Sequence, residues 1–274
     1  MLEQARNFFL NLLFPKSCFL CQREGSYLCQ DCQATLEISG FHQISSASKD
    51  GDEMKFHRLS RDSEDGEERN ALRQYSTENL DDLYFAIDYQ KPLIKKLIQS
   101  FKYEPFIKEL ADNLSSLIIE HFQLLEKLPD FTDRVLIPVP LDSNPPTTHT
   151  PPPSSPQSEY VLIPVPLDRK KLKWRGFNQA EEIGEELSKF LKISLINDVL
   201  VKIKETLPQV ELSDEERKEN IKGAFSCQNP ELIKGRKILL VDDIYTTGST
   251  MAECARVLKT AGAKEIIGIV IARG

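Results

Sequence analysis

Two adjacent carboxylates, a glycine and four aliphatic hydroxyls fall within nine positions of this chain, from Asp242 to Thr250. They follow the apolar run Ile238-Leu239-Leu240-Val241, which predicts a buried strand. Ligands of open α/β sheets bind where such strands end. Gly248 lets a ligand approach the backbone closely. Amides at the start of the next helix, with the hydroxyls of Thr246, Thr247, Ser249 and Thr250, suit a phosphate. Asp242 and Asp243 beside that cradle suit ribose hydroxyls or a hydrated magnesium ion. The simpler alternative is an acidic turn whose Ser or Thr caps a helix, but a cap needs one such residue and here there are four. The lysine-bearing phosphate loop and the spaced-glycine fingerprint of dinucleotide sites are both missing.

Two further clusters could do chemistry. Cys18, Cys21, Cys29 and Cys32 form two Cys-x2-Cys knuckles seven residues apart, a pattern that offers four thiolates to a structural zinc ion; free thiols or an iron-sulfur cluster are the alternatives. Arg169, Lys170, Lys171, Lys173 and Arg175 place five positive charges in seven residues, a candidate clamp for a polyanion or else a solvated loop. Cys227 and Cys254 have no partners at motif spacing and read as small core residues.

The elements that must position these groups alternate. Tyr84 to Ile87 predicts a strand, Pro92 to Phe101 a helix, and Ile107 to Leu128 a longer helical pattern ending at Pro129. The octapeptide Val135 to Asp142 recurs unchanged as Val161 to Asp168. Between the copies lies a Pro-rich insert, 143–160, that cannot pack. Only the second copy runs into the basic segment, so it is the better candidate for the working strand, which must end where Pro164 and Pro166 begin. A helix from about Asn178 to Leu191, a strand near Val199 to Ile203, a polar segment Lys204 to Lys222, a strand Lys237 to Val241, a helix Ser249 to Ala261 ended by Gly262, and a strand Glu265 to Ala272 complete the pattern. Strands alternating with helices mean an α/β fold with a parallel sheet flanked by helices.

Composition narrows the function classes. The 274 residues carry a net charge of −7, which excludes a simple polybasic nucleic-acid binder. Residues 33–90 hold 13 acidic and 6 basic side chains, so that stretch accounts for the whole imbalance and leaves room for an electropositive site elsewhere. No apolar run reaches membrane-spanning length, and the apolar patch within Met1 to Pro15 is interrupted and lacks a cleavage site. A short amphipathic amino-terminal helix, a cytoplasmic location and no membrane insertion are expected. The predicted organisation is a zinc-binding module over 1–38, an acidic disordered linker over 39–79 and an α/β domain over 80–274.

The run Ile238 to Thr250 closely resembles the phosphoribosyl pyrophosphate (PRPP) signature of type I phosphoribosyltransferases. Ile163-Pro164-Val165-Pro166-Leu167, the run Arg175-Gly176-Phe177-Asn178-Gln179-Ala180, and the pattern Thr206, Gln209, Leu212, Arg217, Asn220 resemble the ComF family of bacterial late-competence proteins. The acidic linker and the duplicated octapeptide depart from that family, as does the lack of the second pair of cysteine knuckles that many of its members carry.

The resemblance implies a type I phosphoribosyltransferase fold with an amino-terminal zinc-knuckle module. It implies catalytic residues Asp242 and Asp243 on the ribose hydroxyls, and Thr246, Thr247, Gly248, Ser249 and Thr250 on the 5′-phosphate. Pyrophosphate would lie along the loop bearing Arg169, Lys170 and Lys171, with Arg175. Gln209, Arg217 and Asn220 would belong to a mobile loop that excludes water. Implied cofactors are structural zinc and magnesium with PRPP. Phosphoribosyl transfer to an unidentified acceptor is the expected activity, catalysed by charge neutralisation and positioning, since no general base stands out. A role in DNA uptake beside a helicase-like partner is implied as well. Lys171, Lys173, Trp174, Arg175 and Phe177 interleave cations with rings as single-stranded DNA grooves do. A PRPP sensor or single-strand binder without turnover is the rival function.

Overall fold

The computed structural model describes residues 15–39, 41–44, 56–58, 79–125, 159–204, 206 and 214–274. The amino-terminal helix, the first octapeptide copy, most of the Pro-rich insert, most of the acidic linker and Gln209 lie outside them. In chain order the elements are α1 (Gln30–Gln33), β1 (Phe41–Ile44), β2 (Phe56–Arg58), β3 (Asp82–Asp88), α2 (Pro92–Lys102), α3 (Leu110–Leu124), β4 (Tyr160–Pro164), α4 (Arg169–Arg175), α5 (Gln179–Leu191), β5 (Leu200–Lys202), α6 (Asp214–Ile221), β6 (Phe225–Cys227), β7 (Lys237–Tyr245), α7 (Ser249–Thr260) and β8 (Glu265–Arg273).

The main sheet runs β2-β1-β3-β8-β7-β4. Its β3-β8-β7-β4 section is parallel, while β1 and β2 add antiparallel to the β3 edge. Alternate residues of each central strand face opposite layers. Leu239, Val241, Ile267, Ile269 and Ile271 pack with α2, α3 and α5, while Ile238, Leu240, Ile266 and Val270 pack with α7 and the β5-β6 hairpin. Such near-continuous apolar strands are what a sheet covered on both faces requires. Helix α2 presents Ile94, Leu97, Ile98 and Phe101 inward, and Pro92 starts it where a missing amide costs nothing.

Three elements differ from expectation. The stretch expected as a disordered linker contributes β1 and β2, because the open amides and carbonyls of β3 offer a pairing edge that composition does not reveal. Strand β7 does not stop at Val241. It continues through Asp242↔Val270 to Tyr245↔Arg273 against β8, so both carboxylates sit near the end of a paired strand. Arg169 to Arg175 form a helix, α4, and Leu167 and Asp168 ahead of it remain in a loop. The Asp168 side chain accepts from the amides of Lys170 and Lys171, and Gly176 closes the helix at φ 86°.

The second octapeptide copy is in the sheet. Tyr160 to Pro164 pairs with Lys237 to Val241, and Val165 N donates to Val241 O at 2.9 Å. Its outer edge is covered, since Leu162 N donates to Ser194 O and Ile196 N to Leu162 O, each at 2.9 Å.

The cysteine module docks on α3. Asn113 Nδ2 donates to Leu28 O at 3.3 Å, Gln33 Nε2 to Glu120 Oε2 at 3.0 Å and Ser116 Oγ to Gln33 Oε1 at 3.2 Å. Buried Cys18, Leu28 and Cys32 join the same apolar cluster as α2 and α3.

Candidate functional site

A cleft of about 550 Å³ opens at the carboxyl ends of β4 and β7. Asp242, Asp243, Thr246, Thr247, Gly248, Ser249 and Thr250 all line it. Gly248 is the N-cap of α7 at φ 76°, a conformation that favours glycine, and it has no side chain to shield the helix start. Thr247 and Ser249 bond each other, Oγ1 to Oγ at 3.0 Å. The glycine at the N-cap leaves the start of α7 open to close approach from the cleft, where amides and the helix dipole suit an anion.

Asp243 is 5% exposed, and its Oδ1 meets Lys102 Nζ at 2.9 Å. Asp242 Oδ1 accepts the Asp243 amide at 2.8 Å. Burial, with the neighbouring Asp243 carboxylate, pushes the Asp242 carboxyl up to about 7, against the pull of Lys102. Burial opposes the ammonium of Lys102, but the two carboxylates outweigh it and raise its pKa.

The opposite wall is basic. Lys171 and Arg175, one helical turn apart on α4, line the cleft, whereas Arg169 and Lys170 are not among its lining residues. Arg175 donates to Gln179 Oε1, and its buried Nε has no hydrogen-bond partner. Lys202 on β5 and Arg217 on α6 close the rim. Burial lowers the Lys202 pKa, and the charge of Lys171 lowers it further. Five Lys or Arg side chains against three carboxylates make this an electropositive cleft in an acidic chain. Asn220 lies on α6 but does not line the cleft. Thr206, whose Oγ1 accepts from Lys202 Nζ at 2.8 Å, does.

The Arg175 to Ala180 run is a brace. Asn178 Oδ1 accepts the Ala180 amide at 3.2 Å and Nδ2 donates to Val165 O at 3.1 Å, which ties α5 to the end of the strand segment. Gln179 Nε2 donates to Phe101 O at 3.1 Å, and Phe177 packs on Phe101 with centroids 5.4 Å apart. Phe177 is 8% exposed, so it belongs to the core and cannot stack on a nucleic acid. Trp174 is 57% exposed and meets Phe106 edge-on at 4.8 Å.

Sequence reasoning missed Lys102, Tyr89, Tyr103 and Lys202, all of which line the cleft. None stands in a chemical motif. The one available signal for Lys102 was its place beside the inward-facing Phe101 at the end of an amphipathic helix.

In the cysteine module, the four sulfurs lie within 4.8 Å of one another, with Cys21 and Cys29 Sγ at 3.6 Å. Zinc–sulfur bonds of about 2.3 Å place tetrahedral ligands about 3.8 Å apart, so the donors present fit zinc. Burial raises the Cys18 thiol, but bonds from backbone amides near Cys29, Cys21 and Leu20 outweigh it and bring it down to about 6, whereas burial and hydrogen bonds with the other three thiols push Cys32 up to about 12.

Comparison with known proteins agrees with this geometry. A family model described as the phosphoribosyl transferase domain matches residues 179–274. The chain is 39% identical over 107 residues to competence protein F of Haemophilus influenzae, covering 39% of this chain and 47% of that protein. It is 36% identical over 105 residues to the DNA utilization protein YhgH of Escherichia coli strain K12, covering 38% and 45%. With competence protein ComFC of Bacillus subtilis it shares 34% over 109 residues, covering 39% and 41%. The chain thus spans under half the length of each of these relatives. Among the described residues no helix is long and apolar enough to cross a membrane. With the α/β sheet and the cleft at its carboxyl end, these matches show a phosphoribosyltransferase domain in a chain similar to competence proteins F and ComFC.

Proposed function

We propose that the cleft binds PRPP with magnesium and that the protein transfers its phosphoribosyl group to an acceptor, in the context of DNA uptake. The observation that carries this is the amino end of α7, opened by Gly248 at its N-cap and set beside the Asp242–Asp243 pair within one cleft. Phosphate on the amides and hydroxyls of Thr246 to Thr250 would place the ribose over the two carboxylates. Lys171, Arg175 and Lys202 would then face the departing pyrophosphate. As that group leaves, positive charge grows at the sugar carbon. Asp242 and Asp243 would stabilise it, while the basic wall would stabilise the leaving anion. The hard oxygen donors of Asp242 and Asp243 would hold a largely hydrated magnesium ion, which would supply positive charge to offset that of the departing pyrophosphate. A structural zinc ion on Cys18, Cys21, Cys29 and Cys32 belongs to the same proposal, as does a cytoplasmic location.

The test is calorimetric titration of zinc-loaded protein with PRPP and magnesium. Saturable binding that is lost when Asp242→Asn is combined with Asp243→Asn supports the reading, and no binding by the folded wild type refutes it. A second reading, single-strand binding without turnover, is favoured by one observation: the exposed Trp174 ring beside Lys173 and Arg175. Binding to single-stranded DNA with a steep salt dependence that survives the double substitution would select it.

A further inference from the structure

We infer that Lys102 is a built-in cation of the sugar-phosphate cleft, a positioning residue that sets how strongly the site holds anions relative to metal ions. The inference rests on the PRPP reading above. It adds a residue from outside the matched segment 179–274.

Lys102 is the last residue of α2, where a lysine ordinarily reaches into solvent and complements the helix dipole. Here its side chain is 25% exposed and turns into the cleft to meet Asp243 Oδ1 at 2.9 Å. Its placement is over-determined. Phe101 beside it is fully buried, Gln179 Nε2 holds the Phe101 carbonyl at 3.1 Å, and Tyr103 N closes on Gln99 O at 2.8 Å. The brace that fixes α5 therefore also fixes the backbone from which Lys102 reaches Asp243.

A buried ion pair adds little to stability over a well-packed apolar pair, so stability alone does not account for one at the mouth of a cleft. Two neighbouring carboxylates without a cation would repel a sugar phosphate and attract a divalent ion. Lys102 cancels one of those charges. Asp243 stays anchored to the protein, and the pair keeps oxygens for hydroxyls while the whole cleft remains positive.

The sign of the effect follows from charge. Removing one cation within about 8 Å of a ligand, at the effective dielectric of a partly buried site, changes affinity at least about tenfold. Lys102→Met should therefore bind magnesium alone at least about tenfold tighter, and PRPP in metal-free buffer at least about tenfold weaker. Lys102→Gln, which retains a donor for Asp243, should behave like Lys102→Met, and Lys102→Arg should restore both affinities. The experiment is calorimetry of the full zinc-loaded chain with each probe.

Opposite shifts in the two affinities support the inference, because damage to the fold would lower both. If Lys102→Met does not fold, Lys102→Gln decides alone. Affinities unchanged in the variants, or falling together and not restored by arginine, overturn the role of Lys102 while leaving PRPP binding by the wild type intact. Failure of the wild type to bind PRPP with or without magnesium instead overturns the site reading, and this inference with it.

Discussion

Asn178→Ala tests whether the Arg175 to Ala180 run acts as a brace. The side chain is 9% exposed and makes two bonds, from Nδ2 to Val165 O at 3.1 Å and to Oδ1 from the Ala180 amide at 3.2 Å. Loss of a helix amino cap costs about 1 kcal/mol. Loss of a buried hydrogen bond that leaves its carbonyl partner unserved costs about 1–2 kcal/mol more. The expected destabilisation is about 2–3 kcal/mol, a fall in melting temperature of roughly 4–12 °C for a domain of this size. Urea unfolding at fixed zinc concentration measures it. Asn178→Asp separates the two contributions, since it keeps the acceptor for Ala180 and removes the donor to Val165, and should recover about 1 kcal/mol. A loss under about 0.5 kcal/mol in Asn178→Ala, or an Asp variant no better than Ala, would refute the brace.

Two other outcomes are expected from the same geometry. Lys171→Ala should weaken pyrophosphate binding by about tenfold or more, and Lys170→Ala by less than about threefold, because only Lys171 lines the cleft; titration with inorganic pyrophosphate compares them. Asp82 gives a pH dependence: burial, with added repulsion from Glu265 and Asp81, pushes its carboxyl up to about 7 from the usual 3.8. The folded state holds that proton more tightly than the unfolded chain does, so this stabilisation is present below about pH 4 and is lost as pH rises through 7. Asp82→Asn should flatten that decline, and urea midpoints from about pH 5 to 8 that match the wild type would count against it.

The legible parts of the site were those whose chemistry is contiguous in sequence. From Ile238 to Thr250, strand, carboxylates and cradle come one after another, and the structure keeps them in one cleft. The choice of the second octapeptide copy was legible too, because only that copy is followed by residues able to form α4. That α4 is a helix was also written in the chain, as Asp168 before it and Gly176 after it; the density of positive charge obscured those caps. Lys102, Tyr89 and Lys202 were not legible, since α2, the turn after β3 and β5 reach the cleft only through tertiary packing. Strand β1 was hidden for a similar reason: its partner edge lies some forty residues downstream.

The strand beside β7 has a consequence for how the chain finds its fold. Val135 to Asp142 and Val161 to Asp168 are identical, so the slot facing Lys237 to Val241 cannot tell them apart by any contact the octapeptide itself makes. Discrimination falls to the residues on either side of each copy: ahead of the second, Tyr160 pairs with Lys237 and its hydroxyl accepts from Lys237 Nζ at 3.1 Å, where the first copy has Arg134. Behind the second, Arg169 to Arg175 folds under the Asp168 cap and delivers Lys171 and Arg175 to the cleft. Behind the first stands Ser143-Asn144-Pro145-Pro146, in which paired prolines break any such helix. A register displaced by 26 residues would thus complete the sheet while leaving the cleft without its basic wall. Selection of the strand therefore resides in its flanks, Tyr160 ahead of it and α4 behind it, and not in the strand's own sequence.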